Sequence, residues 1–123
     1  MVLYPLMPLK IPSGWKVISN TFYDIDATEE YRERRLFSEN MLIIERDIPS
    51  ERKDKYIIDL GWLPSHSPDG RYRITVVAGD FEHVLKQFEH KDRGEIQSKI
   101  DLYLQILSSF LSLEEVPAAL SAV

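Results

Sequence analysis

Three stretches of alternating side chains, Met41 to Ile48, Lys55 to Leu63 and Arg71 to Ala78, follow one another with turn residues between them. That succession constrains the fold more than any other feature. Pro49-Ser50 and Pro68-Asp69-Gly70 set the runs apart, and runs so closely spaced pair as antiparallel hairpins. Strand side chains alternate between faces, so Leu42, Ile44 and Ile48 share one face with Tyr56, Ile58, Leu60, Trp62, Tyr72, Ile74 and Val76. This is the expected core face. The opposite face carries Ile43, Glu45, Asp47, Ile57, Asp59, Arg73, Thr75 and Val77, a mixed surface.

An earlier strand is expected within Gly14 to Ile25, where the alternation slips near Ser19-Asn20 as at a bulge. Thr28 to Phe37 is charged and reads as a solvated connection with at most a short turn of helix. Phe81 to Lys91 fits both a helical stripe and an edge strand; the strand is chosen because Asp92-Arg93-Gly94-Glu95 is a capping box that starts a helix afterwards. In that helix Ile96, Ile100, Tyr103, Leu104, Leu107, Phe110 and Leu111 fall in one arc and are expected to pack on the sheet. Leu102, Ile106 and Leu113 form a third apolar stripe. Pro117 is expected to stop the helix, leaving 114–123 as a frayed tail. The expected fold is α+β: an antiparallel sheet of about five strands with one long C-terminal helix packed on one face.

With 123 residues, 44% of them hydrophobic, the chain can bury about two thirds of its extended surface in one domain spanning 1–123. Residues 1–12 are an apolar N-terminal extension broken by three prolines, unlike a signal peptide. No apolar run is long enough to cross a bilayer. The absence of cysteine points to a reducing compartment, with cytoplasm as the default. The net charge of −5 disfavours nucleic acid or anionic membrane and suits a basic protein partner.

Few residues cluster as catalytic chemistry requires. The five glycines are scattered, so no phosphate-binding loop is expected, and no cofactor is called for. Asp24-Ile25-Asp26-Ala27-Thr28 opens like a calcium loop but continues with Glu29 and Arg35 where glycine and glutamate belong. His66, His83 and His90 lack metal-ligand spacing, so no metal site is expected. Ser65-His66-Ser67 lies in a Pro-rich turn without a strand–turn–helix elbow. Glu45 and Asp59 could meet across the mixed face, where Arg73 is expected to neutralise them in a cross-strand ion pair.

The Gly14-Trp15 strand with Asn20-Thr21-Phe22-Tyr23-Asp24-Ile25-Asp26, then Asp59-Leu60-Gly61-Trp62 and Pro68-Asp69-Gly70-Arg71-Tyr72-Arg73, then Leu85-Lys86-Gln87-Phe88-Glu89 before a capped helix, resembles small bacterial immunity proteins of polymorphic or contact-dependent toxin systems. The resemblance implies a cytoplasmic, non-enzymatic inhibitor that binds a cognate toxin domain, often a nuclease. No catalytic residue carries over. The expected partner-binding residues are Asp59, Trp62, His66, Asp69 and Tyr72, with core packing as the competing account of the two aromatics. A second reading is a structural or regulatory module that self-associates, as a homodimer, through Leu102, Ile106 and Leu113. A third is a small hydrolase using His66 with Asp69 or Asp59.

Overall fold

The computed structural model describes residues 3–48, 51–79 and 82–123, and within 51–53 the backbone alone. Its elements in chain order are β1 (Lys16–Asn20), α1 (Glu29–Glu33), β2 (Leu42–Ile48), β3 (Glu51–Leu63), β4 (Arg71–Ala78), β5 (Val84–His90), α2 (Arg93–Leu107) and α3 (Val116–Ser121). The five strands form one antiparallel sheet in the order β1-β2-β3-β4-β5. This is the expected α+β meander. Phe81, the expected start of the last strand, lies outside the described residues.

The register explains the core. Leu42, Leu60, Ile74 and Phe88 stand in one row across β2 to β5, and Ile44, Ile58 and Val76 in the next. These share a face with Tyr56, Trp62 and Tyr72 and meet Ile96, Ile100, Tyr103, Leu104 and Leu107 of α2. Each fully buried aliphatic side chain contributes about 1.5–3 kcal/mol, so this one interface supplies most of the driving force for folding.

The register shifts at three places among the described strands, one of them between Asp47 and Ile48 of β2. The slip in β1 falls between Val17 and Ser19, one step earlier than the sequence pattern suggests. Another, between Val76 and Val77, sets Val77 opposite Val84 and leaves Leu85 as the extra residue. Val77 is buried, although alternation alone assigns it to the mixed face.

Several local expectations give way to specific hydrogen bonds. Asp92 caps α2 by accepting from the Glu95 N–H at 3.0 Å, but its own N–H donates to His90 Nδ1 at 2.8 Å rather than to the Glu95 carboxylate. The helix stops at Leu107, well before Pro117. There the Ser109 hydroxyl donates to the Ile106 carbonyl at 2.6 Å, closing the last turn and diverting the chain. Phe110 and Leu111 are consequently exposed, not part of the core arc. Ser112 and Glu115 then bond reciprocally, backbone to side chain, at 3.0 and 3.3 Å. Pro117 opens α3 instead of ending a helix, at a first-turn position where its missing N–H costs nothing. The expected frayed tail is thus an ordered helix, with Val116 and Leu120 buried against β5 and α2.

The N-terminal segment is also part of the domain. Met7 is buried; its N–H donates to the Phe22 carbonyl at 2.8 Å, and the Asp24 N–H donates to the Pro5 carbonyl at 2.8 Å. Further on, the Lys10 N–H donates to Asp101 Oδ1 at 2.8 Å and Gln97 Nε2 donates to the Pro8 carbonyl at 2.6 Å, tying residues 8–10 to α2.

Candidate functional site

Helices α2 and α3 and the N-terminal segment add their buried residues to the core on one face of the sheet. Ile43, Ile57, Asp59 and Thr75 point to the other, and none of them belongs to the core. Antiparallel sheets tolerate such a face when it mixes polar and apolar residues, as here. Its upper rim is closed by the backbone of residues 38–41: the Trp62 N–H donates to the Ser38 carbonyl at 2.7 Å and the Met41 N–H to the Leu60 carbonyl at 2.8 Å. Gly61 permits this crossing. A Cβ there would lie 2.2 Å from the Glu39 carbonyl oxygen.

The charges of this face pair along its edges. Arg73 binds Glu89, Nη2 to Oε1 at 3.0 Å, and Lys55 binds Asp47 at 2.9 Å and Glu45 at 3.6 Å. The expected neutralisation of Asp59 and Glu45 by Arg73 does not occur, because Glu89 of β5 sits directly opposite Arg73 while Asp59 is opposite Thr75. Asp59 is left in the middle, half-buried between Ile43 on β2 and Thr75 on β4. Its Oδ1 is closed to solvent and has no hydrogen-bond donor among the described residues. Burial therefore pushes its carboxyl above the usual aspartate range.

The remaining partner-binding candidates scatter. Trp62 and Tyr72 are 3% and 1% exposed and stack edge-to-face at 5.0 Å within a cluster that includes Phe22 and Phe37. They hold the core and present no surface to a partner. Burial raises the pKa of the Tyr72 hydroxyl, which finds no hydrogen-bond partner among the described residues. Asp69 is exposed at the tip of the β3–β4 connection, its N–H donating to Ser67 Oγ at 3.1 Å.

His66 sits in the same connection with φ +58°, its N–H donating to the Phe37 carbonyl at 2.7 Å. It lines a hollow of about 270 Å³ with Glu29, Arg32 and Glu33 of α1 and Pro68. The carboxylates gathered beside His66 are therefore those of α1, a segment whose charge pattern reads as mere solvation. Neither Asp69 nor Asp59 lines that hollow, and His66 Nδ1 has no hydrogen-bond partner among the described residues. No bond between the His66 ring and Asp69 or Asp59, the pairs expected for a hydrolase, is formed among the described residues.

The apolar stripe of Leu102, Ile106 and Leu113 is not a continuous surface. Leu113 lies beyond the end of α2, and both Ile106 and Leu113 pack against the core. Leu102 lines a groove of about 690 Å³ with Lys10 and Pro12, where the N-terminal segment runs beside α2. No group of three histidine, aspartate or glutamate side chains is placed to hold a metal ion among the described residues, and none of the described helices is long and apolar enough to cross a membrane.

Comparison with protein-family models, with characterised proteins and with solved structures finds no match to this chain.

Proposed function

We propose that the protein is a cytoplasmic binding module of the immunity type, which neutralises a basic toxin domain, a nuclease for example, by occupying it without catalysis. The observation that carries this reading is the sheet face opposite the core, where Ile43 and Ile57 are partly exposed between the ion pairs Glu45–Lys55 and Arg73–Glu89. A surface that mixes partly exposed isoleucines with charged residues suits protein contact. The net charge of −5 favours encounter with a basic partner and steers the approach. Of the five residues singled out from sequence, Asp59 belongs to this face; His66 and Asp69 lie on the adjoining β3–β4 connection, and Trp62 and Tyr72 support it from the core.

The test is co-expression in bacteria with the product of the neighbouring upstream gene. Growth restored by this protein, and a one-to-one complex on co-purification, are the expected results. A neighbour that is harmless alone, or a toxic one that this protein fails to restrain, would sink the proposal.

A further inference from the structure

We propose that two copies of this chain pair edge to edge through β1, joining their sheets about a two-fold axis. This goes beyond the binding function above and does not depend on it. β1 pairs with β2 alone, and along its other edge no backbone hydrogen bond is made among the described residues. That edge is open to solvent: Lys16, Val17, Ile18 and Ser19 are all exposed, Val17 by 45% and Ile18 by 47%. The N-terminal segment closes it only further along, where Met7 and Pro5 bond to Phe22 and Asp24. A free row of backbone donors and acceptors is a template for another strand, and the opposite side of the sheet is guarded against this. There β5 carries Lys86, Glu89 and His90, and α3 packs against it. Head-to-tail growth from β1 onto β5 is therefore blocked, which leaves the closed two-fold arrangement.

The strand itself selects a second copy as the occupant. Ile18 is the extra residue of the bulge, with nothing opposite it on β2. Antiparallel self-pairing centred there sets Ile18 against the same residue of the other copy, Val17 against Ser19 and Lys16 against Asn20. An apolar pair thus occupies the axis. Lys16 is the strand's one charge, and four residues of extended chain keep the two lysines about 13 Å apart, beyond the screening length of about 8 Å at physiological salt. A bare aromatic lies close to the same end of the edge. Phe110 is wholly exposed and follows two residues after Ser108, whose hydroxyl accepts from Trp15 Nε1 at 2.8 Å just before β1 begins. A five-residue pairing with such a ring at each end is at the small end of protein interfaces, so a dissociation constant on the order of 10–100 µM is expected.

Sedimentation equilibrium of the full chain from about 5 µM to about 500 µM tests this, together with NMR of the labelled protein over the same range. The average mass is expected to climb from 14.3 kDa toward twice that, while the amides of residues 16–20 shift in step and those of β5 stay in place. Ile18→Lys and Ile18→Glu each set like charges face to face at the axis, and because the side chain is half exposed the monomer should remain folded. Either variant alone should associate about tenfold more weakly, and an equimolar mixture of the two should associate more tightly than either one. A monomer at every concentration, a dimer that Ile18→Lys leaves intact, or a mixture no tighter than its components would each overturn the proposal. Should a variant fail to fold, the wild type decides: concentration-dependent shifts that leave residues 16–20 unmoved overturn it. The two proposals fail separately, since a strictly monomeric chain that still restrains its toxin leaves the binding function standing.

Discussion

Gly70 leaves room for the indole of Trp62: a Cβ at residue 70 would stand 2.0 Å from Trp62 Nε1, and 2.6 Å from two of its ring carbons. The indole cannot simply retreat, because Nε1 donates to the Ser67 carbonyl at 2.9 Å and the ring lies 5.3 Å from Phe37 and 5.0 Å from Tyr72, centroid to centroid. The same Ser67 carbonyl accepts from the Gly70 N–H at 3.0 Å, so the turn and the core aromatic are fixed by one acceptor. Gly70→Ala should therefore cost about 1–3 kcal/mol, through overpacking rather than backbone strain. A thermal melt is expected to fall by about 4 °C or more. An unchanged melting temperature would show that the indole can move.

The C-terminal connection offers a sharper contrast. Leu120 is wholly buried in α3, whereas Phe110, three residues past the end of α2, is wholly exposed. Leu120→Ala should destabilise by about 2–4 kcal/mol and Phe110→Ala by less than about 0.5 kcal/mol. Urea denaturation of the two variants checks this, and comparable losses would place Phe110 in the core after all.

The sheet was legible from sequence because its strands alternate strictly and their faces differ in polarity: Leu42, Ile44, Ile58, Leu60, Ile74 and Val76 lie on the core face as the alternation requires. The end of α2 was not, because apolar residues continue at helical spacing through Phe110 and Leu111 while a single Ser109 hydroxyl terminates the turn. A signal for the next element is present in Ser112-Leu113-Glu114-Glu115, which has the capping-box spacing and leads directly to Val116 and Pro117. At the site, Asp59 was visible as a carboxylate on the mixed face, but that Arg73 does not pair with it depends on Arg73 standing opposite Glu89, a register that β5 decides. Glu29 and Glu33 beside His66 could not be seen at all, since α1 and the β3–β4 connection are brought together only by tertiary contacts.

His66 holds a left-handed backbone conformation at φ +58°, which strains any residue with a Cβ. Replacing it by alanine keeps that strain, and replacing it by glycine relieves it. His66→Gly should thus be more stable than His66→Ala by about 1 kcal/mol, with both variants folded. Measured by urea denaturation, an alanine variant as stable as the glycine one would mean the backbone relaxes out of this region. Neither change should abolish a hydrolytic turnover, because no carboxylate is bonded to the His66 ring among the described residues.

Asp59 gives a dependence of stability on pH whose sign follows from its burial. Its carboxyl is raised from the ordinary value of 3.8 by desolvation, so the folded state holds the proton more tightly than the unfolded chain does. The resulting stability is present in full below that ordinary value and is lost as pH rises through the higher folded value. Asp47 and Glu115 act in the opposite sense: hydrogen bonds from Lys55 and from Ser112 lower their carboxyls, and that contribution disappears as pH falls. The whole-protein profile therefore mixes both signs, and a difference between two variants isolates Asp59. Asparagine has the shape of the protonated acid and does not titrate. The stability of the wild type minus that of Asp59→Asn should fall as pH rises above the ordinary value of 3.8 and level off once the raised folded value is passed. Urea denaturation at a series of pH values measures it directly. A flat difference would mean that the carboxylate is solvated or paired in solution.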